Sequence, residues 1–133
     1  IINSIASGKE IPIYGDGNQV RDWIYVADHV EALMTLLKQA KPGSIYNLGG
    51  DKELENINLA RLICELMAKR EMKNPSHYDD LIVSVTDRLG HDFRYAIDST
   101  KISSHLGWQP TESFDSGIKK TVDWYLNNIE FFK

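Results

Sequence analysis

The sequence is poor in the residues that build disulfide frameworks and metal centres. It has one cysteine, Cys64, in 133 residues, which excludes an internal disulfide and fits a reducing compartment. Its four histidines show no His-x-x-x-His spacing, so no metal site is expected. Because free cysteines are usually buried, we interpret Cys64 as a small core residue of an apolar helix.

Positive charge and long apolar runs are also scarce. The chain has 15 Lys and Arg against 19 Asp and Glu, a net charge of −4, which argues against nucleic acid as a partner. No apolar run approaches membrane-spanning length and no signal peptide is visible, so no membrane partner is expected and the predicted location is cytoplasmic. Neither Gly-x-Ser-x-Gly nor Tyr-x-x-x-Lys occurs, so the residues alone offer no nucleophile or redox pair.

Strand-like and helix-like segments alternate, which predicts an α/β fold of mixed short strands and helices. The predicted strands are residues 10–14, 23–26, 44–48, 81–85 and 94–97. The predicted helices are the segment ending at Gly8, residues 28–39 with Asp28 as N-cap, the stripe from Leu59 to Arg70, residues 99–106 and a last helix capped by Ser113. Residues 15–18 are expected to form a turn, 51–56 a polar loop and 73–76 the most linker-like stretch.

One loop carries most of the recognisable chemistry. Asp87-Arg88-Leu89-Gly90-His91 places a carboxylate, a guanidinium and an imidazole around a glycine. Arginine offers a planar fork of donors and histidine adds one more, which suits a phosphate. Arg21 lies in a second Gly-rich, aromatic segment, so the two arginines predict a clamp on a diphosphate. Surface pairing of each arginine with its neighbouring aspartate is the alternative.

Three other positions have two readings. The segment Gly15–Val20 begins like a dinucleotide-binding loop, but Val20 stands at the third glycine position and no clear helix follows, which favours a plain turn. Tyr14 is either a core residue or a base-stacking face. Asn56 is either a residue of the first helical turn or an amide that faces a ligand.

Several segments, in order, resemble the C-terminal part of dTDP-glucose 4,6-dehydratases, which are extended short-chain dehydrogenases/reductases with a Rossmann-like, NAD(P)-binding fold. Arg21-Asp22-Trp23 and the 87–91 loop followed by Arg94-Tyr95-Ala96-Ile97-Asp98 are specific to this branch, whereas Tyr46-Asn47-Leu48-Gly49-Gly50 is shared by many nucleotide-sugar epimerases and dehydratases. The first of these lies within the longer matching segment 19–29, and the match of the loop extends to Asp92; the remaining matching segments are residues 9–15, 106–110 and 117–125. Leu89 departs from the proline usual in this loop, which predicts a less rigid backbone there.

The resemblance implies a two-domain enzyme that converts dTDP-glucose to dTDP-4-dehydro-6-deoxy-glucose, a rhamnose precursor. Its N-terminal Rossmann domain holds NAD and a Tyr-x-x-x-Lys pair; NAD takes hydride from sugar C4, water leaves across C5 and C6, and the hydride returns to C6. By the same resemblance, residues 1–133 are the nucleotide-sugar-binding portion. Residues 24–50 are then expected to pack on the Rossmann domain, and the intact enzyme is expected to be a homodimer.

The resemblance also implies the substrate-binding residues, which are Lys9, Ile13, Tyr14, Arg21, Asn56, Asp87, Arg88 and His91. Residues 9–14 would line thymine and deoxyribose, and the two arginines would contact the diphosphate. No catalytic residue is expected in this chain. Because the sequence opens in mid-helix at Ile1 and holds neither the NAD loop nor Tyr-x-x-x-Lys, we expect a fragment that has no dehydratase activity and binds no NAD alone.

Two alternatives stay open. The chain could belong to a UDP- or GDP-sugar epimerase or dehydratase of the same fold. It could also be a stand-alone nucleotide-sugar-binding module without a catalytic parent.

Overall fold

The computed structural model describes residues 1–132. Its helices are α1 (Ile2–Ala6), α2 (Val26–Gln39), α3 (Asn56–Arg70), α4 (Thr100–Leu106) and α5 (Phe114–Asn127), with 3₁₀ helices at Pro75–Leu81 and Ile129–Phe132. Its strands are β1 (Ile11–Tyr14), β2 (Val20–Asp22), β3 (Glu53–Glu55) and β4 (Ile82–Val85). The predicted α/β class of mixed short strands and helices is confirmed.

Two small sheets position the loops. β1 pairs in parallel with β4, with Tyr14 opposite Val85, and β2 pairs antiparallel with β3. Along β1, Ile11 and Ile13 are buried whereas Tyr14 is exposed, as the two-residue period of a strand requires. Because β1 and β4 run in the same direction, the segments that follow them leave the sheet at the same edge.

The main core lies where α1, β1, α3 and α5 meet. Helix α3 contributes buried residues at helical spacing along one face, and these are Leu59, Ala60, Ile63, Cys64, Met67 and Ala68. Against them pack the two isoleucines of β1 and the predicted stripe of α5, which is Phe114, Ile118, Val122 and Tyr125. The interpretation of Cys64 as a buried core residue is confirmed.

A second, smaller core joins α2 to α4. Ala32, Ile102 and Trp108 are its buried members, with Leu36 and Leu106 packed beside them. Only the side of α2 that carries Ala32 and Leu36 packs in this core, so the rest of the helix faces away from α4.

Asp28 anchors α2 in a way that the sequence did not indicate. It is buried and accepts hydrogen bonds from Thr111 N (3.1 Å), Thr111 Oγ1 (2.9 Å) and Glu112 N (3.0 Å). Burial acts to raise the pKa of Asp28, but these hydrogen bonds outweigh it and hold that pKa below the usual value. The N-cap prediction is therefore wrong: α2 begins at Val26, and Asp28 ties the segment before α5 to it.

Several other predictions are confirmed. The first helix ends before Gly8, residues 15–18 form a turn, and β1 and β4 lie within the strands expected there. α4 ends at Gly107, whose φ of +68° suits a residue without Cβ. Ser113 caps α5 by accepting a hydrogen bond from Ser116 N at 3.2 Å.

Some strand and loop predictions are wrong because a β-prone composition does not supply a pairing partner. Residues 23–25 are irregular, residues 44–48 form no strand within the described range 1–132, and residues 94–97 make only one bridge, from Arg94 to Val20. The polar segment 51–56 contains strand β3, because Asp22 accepts hydrogen bonds from Gly50 N and Lys52 N and aligns it with β2. The linker-like residues 73–76 lead into the first 3₁₀ helix, which Asn74 caps.

No helix in the part of the chain that the structure describes combines the length and the apolarity needed to cross a membrane.

The outer surface of α2 carries an apolar face. Its members recur at helical spacing and each is 44–80% exposed: Val26, Val30, Leu33, Met34 and Leu37. Ile45, in the irregular segment that follows the helix, is 79% exposed. A contiguous apolar surface of this kind favours association.

We expect this α2 face to make the isolated chain self-associate. Replacing Leu33 and Leu37 together by Glu should shift its sedimentation-velocity distribution toward monomer at equal concentration. Met72→Glu is the matched control, since Met72 is 95% exposed and lies outside the face. A monodisperse monomer for the unaltered chain would contradict the expectation.

Candidate functional site

The parallel pairing of β1 and β4 brings two distant loops together. Gly15 N donates to Val85 O at 2.8 Å, so the turn after β1 lies beside the segment after β4. A Cβ on Gly15, whose φ is +60°, would come within 3.3 Å of Asp87 Oδ2. The predicted 87–91 loop therefore starts against the predicted 15–18 turn.

That turn is closely packed and does not resemble a phosphate-binding loop. A Cβ on Gly17 would lie 2.6 Å from Ile13 Cγ2 and 2.8 Å from Ile57 Cβ. The first two N–H groups of α3 are also engaged, with Asn56 N donating to Gln19 O and Ile57 N to Gly17 O, both at 3.0 Å. The chain then enters β2, not a helix, so Gly15–Val20 does not fit the pyrophosphate of NAD.

Asp87 joins the two loops through its carboxylate. Oδ2 accepts from Gln19 Nε2 at 3.0 Å, and Oδ1 accepts from Arg88 N at 2.9 Å and lies 2.7 Å from His91 Nδ1. The hydrogen bond with His91 is the main reason that the pKa of Asp87 lies below its usual value, with the bonds from Arg88 N and Gln19 adding to it. Asp87 therefore binds neighbouring loop atoms, and its predicted surface pairing with the Arg88 side chain is absent from the contacts of residues 1–132.

His91 is held in one tautomer. Its Nε2 lies 3.0 Å from Arg21 Nη2, and a guanidinium can only donate, so Nε2 accepts. The proton must then sit on Nδ1, which donates to Asp87. With its side chain 4% exposed, the His91 imidazole links a carboxylate to an arginine.

The guanidinium of Arg21 bonds to other residues of the protein and not to the carboxylate of the neighbouring Asp22. Its Nη1 donates to Val20 O at 2.7 Å and its Nη2 donates to Asp92 O at 3.0 Å as well as to His91. Adjacent residues of a strand point to opposite faces, which explains why Asp22 binds elsewhere. The guanidinium carbon lies 4.6 Å from the centre of the Tyr95 ring, so both terminal nitrogens and one face are in use.

Arg88 is placed differently. Its side chain is exposed and its guanidinium carbon lies 5.6 Å from the centre of the Tyr14 ring. Tyr14 is 47% exposed and meets His91 edge-on, with 6.0 Å between ring centres. The charges of Arg21 and Arg88 both lower the pKa of Tyr95, although its hydrogen bond to Asp92 outweighs them and raises it. Both arginines thus lie around the same patch.

The structure brings together Tyr14, Arg21, Asp87, Arg88 and His91. Three other predicted residues are placed apart from this group. The Ile13 side chain belongs to the main core, Lys9 lies exposed before the opposite end of β1, and Asn56 reaches the group through its backbone bond to Gln19. Their predicted roles in binding stay predictions.

Sequence reasoning missed Gln19 and Tyr95. Gln19 is buried and bonds Asp87, and Tyr95 stacks on Arg21 while donating to Asp92 through its hydroxyl. Both lie in segments that carry the family resemblance. Neither has a local sequence pattern that indicates its partner, because Asp87 lies 68 residues from Gln19 and Arg21 lies 74 residues from Tyr95. A polar residue that follows a Gly-Asp-Gly turn was the only available signal for Gln19.

Metal-ligating side chains and the thiol of Cys64 are the other groups that could carry chemistry. Among the residues that the structure describes, no cluster of His, Cys, Asp and Glu could hold a metal ion. Burial raises the pKa of the Cys64 thiol to about 11, so it stays protonated and unreactive near neutral pH.

Comparison with known proteins places this geometry in a family. The model of the GDP-mannose 4,6 dehydratase family matches residues 1–121. The chain belongs to that family. Within it, the dTDP-glucose 4,6-dehydratase of Shigella flexneri is 52% identical over 131 residues, which cover 98% of this chain and 36% of that protein. The resemblance drawn from the motifs is confirmed.

Solved structures agree in fold. The dTDP-glucose 4,6-dehydratase of Streptomyces venezuelae, solved with NAD bound, is 33% identical with a TM-score of 0.84 over 98% of this chain and 38% of that one. The UDP-glucose 4-epimerase of Thermotoga maritima, solved with UDP-glucose, is 28% identical with a TM-score of 0.81 over 96% and 38%. This chain of the dehydratase family therefore spans little more than a third of the relatives it matches.

The hydrogen bonds of Asp87 make a test of the loop. Because its pKa in the folded protein is lowered, Asp87 stabilises the fold above the usual carboxyl range, and that stabilisation is lost as the pH falls through the lowered value. We therefore expect Asp87→Asn to destabilise the chain near neutral pH. In urea titrations, the difference from the unaltered chain should shrink as the pH falls below about 4.

Asp80→Asn is the control, because Asp80 lies exposed on the first 3₁₀ helix. A difference between Asp87→Asn and the unaltered chain that stays constant with pH would show that the charge of Asp87 is not what holds the loop.

Proposed function

We propose that this chain is the nucleotide-sugar-binding part of a dTDP-glucose 4,6-dehydratase and that it binds the dTDP moiety. The parent enzyme converts dTDP-glucose to dTDP-4-dehydro-6-deoxy-glucose with tightly bound NAD. The observation that carries the proposal is the exposed Arg88 guanidinium beside the half-exposed Tyr14 ring. The 52% identity to a protein of that activity supports it.

The geometry suits a nucleoside diphosphate. Arg88 offers a planar fork to phosphate oxygens, and the ring of Tyr14 offers a flat face for a base. Arg21 and Tyr95 lie at the other side of the same patch. Arg21 uses three of its five N–H groups within the protein, so two remain for a phosphate oxygen and both arginines can contact the diphosphate.

The dehydration itself belongs to the rest of the parent enzyme. The turn after β1 does not fit NAD, and the sequence has no Tyr-x-x-x-Lys pair. The residues present hold the nucleotide and supply no hydride acceptor or acid–base pair. We therefore propose that this chain alone has no dehydratase activity and binds no NAD.

The exposed apolar α2 face supports a proposal on domain packing. We propose that residues 24–50 pack on its N-terminal Rossmann domain, which would cover that face and give residues 44–48 a strand to pair with. The intact enzyme is proposed to be a cytoplasmic homodimer, with no nucleic acid or membrane partner.

Binding of nucleoside diphosphates tests the proposal directly. Calorimetry of the purified chain with dTDP, UDP and GDP should give the tightest binding for dTDP. Tighter binding of UDP would instead favour the branch of the Thermotoga maritima epimerase, whose fold is nearly as similar. Absence of binding to all three would contradict a nucleotide site in this chain.

Arg88 is expected to dominate the affinity. Hydrogen bonds to charged groups are worth about 1.5–3 kcal/mol, so Arg88→Ala should weaken dTDP binding by at least about tenfold. Arg88→Lys should restore only part of the loss, because lysine keeps the charge but not the fork.

Arg70→Ala is the matched control for Arg88. Arg70 ends α3 and pairs with Asp123 at 2.9 Å, roughly 21 Å along the helix from Asn56. Equal affinity of Arg88→Ala and the unaltered chain would remove Arg88 from the site.

A further inference from the structure

Gln19 is a buried polar residue with two bonds that matter for the site. The residue is 6% exposed, which is unusual for glutamine. Its Nε2 donates to Asp87 Oδ2 at 3.0 Å, and its backbone oxygen accepts from Asn56 N at 3.0 Å. One residue therefore ties the 87–91 loop to the start of α3.

The side chain of Gln19 is the first member of a chain of hydrogen bonds. By occupying Oδ2 of Asp87 it turns Oδ1 toward Arg88 N and His91 Nδ1. His91 carries its proton on Nδ1 and accepts a hydrogen bond from Arg21 through Nε2. The chain links the Gln19 amide, the Asp87 carboxylate, the His91 imidazole and the Arg21 guanidinium. Gln19 and His91 both donate to Asp87, and Arg21 donates to His91.

Packing alone does not account for an amide at this position. The Oε1 atom of Gln19 is buried and has no hydrogen-bond partner among residues 1–132, and an unpaired buried acceptor is costly. An aliphatic side chain of similar size would fill the space without that cost. What the amide adds is its bond to Asp87, which is also one of the contacts that lower the pKa of that carboxyl.

We propose that Gln19 is a positioning residue for the nucleotide site. It orients Asp87 so that the carboxylate accepts the hydrogen bond of His91 Nδ1 and keeps the backbone of Arg88 beside Tyr14. The ligand in this inference rests on the proposed function, whereas the hydrogen-bond chain is a property of the free protein. The two can therefore be tested separately.

The first test needs no ligand. Imidazole ¹⁵N shifts of His91 in the full chain should report the Nδ1–H tautomer near neutral pH. In Gln19→Leu, Arg21 still donates to Nε2, so the tautomer should stay the same. The Nδ1–H proton resonance of His91 should move upfield, because its bond to a less firmly held Asp87 is weaker. Asn18→Leu is the matched control: Asn18 is the neighbouring residue, exposed, and bonds Asp16, so its variant should keep the unaltered spectrum.

The second test uses dTDP as the probe. Gln19→Leu should weaken its binding by about tenfold, because the loop that carries Arg88 loses a bond that holds it in place before the ligand binds. Gln19→Glu should bind weakly near pH 7, since two carboxylates would face each other, and should regain affinity relative to the unaltered chain as the pH falls and they share a proton. Gln19→Leu should show no such recovery.

Each outcome decides something different. A folded Gln19→Leu chain with the unaltered His91 spectrum overturns the proposal, as does a Gln19→Glu chain whose relative dTDP affinity does not change with pH. If Gln19→Leu does not fold, Gln19→Met takes its place under the same criterion. If the unaltered chain binds no dTDP, the proposed function fails while the His91 spectrum still decides the role of Gln19.

Discussion

The parallel pairing of β1 with β4 is the constraint on which the rest of the site depends. It aligns Tyr14 with Val85, two residues that are remote in sequence. A shift by one residue would turn Tyr14 inward and Ile13 outward, because side chains alternate along a strand. The burial of Ile11 and Ile13 against α3 resists that shift. The hydrophobic core therefore fixes the register, and the register fixes where the polar residues meet.

On this base, the two arginines have different surroundings. Arg21 lies in the short β2–β3 sheet, is bound by Asp92 O and His91, and lies against Tyr95. Arg88 lies in a loop whose backbone is held by Asp87 while its side chain stays exposed. One patch therefore holds a guanidinium that is bonded within the protein and a second guanidinium that is exposed.

Local patterns predicted the elements whose causes are local. The stripe of α5, its Ser113 cap and the Gly107 stop of α4 each depend on residues a few positions apart. Strand assignments at 23–26, 44–48 and 94–97 failed because a strand is defined by its partner, which composition does not name. The same holds for the site. Residue types and family resemblance pointed to Arg88 and His91, whereas the bond of Gln19 to Asp87 depends on tertiary contact alone.

The glycines of the turn after β1 show that one sequence pattern can serve two different structural purposes. In a dinucleotide loop, glycine lets the backbone approach a pyrophosphate. Here a Cβ at Gly17 would strike Ile13 and Ile57, and one at Gly15 would press on Asp87. The missing side chains make room for protein atoms, so the turn packs against Ile13 and Ile57 and leads into the buried Gln19. The backbone of this turn is therefore engaged by protein atoms, and the exposed cationic group beside it is the guanidinium of Arg88 on the neighbouring loop.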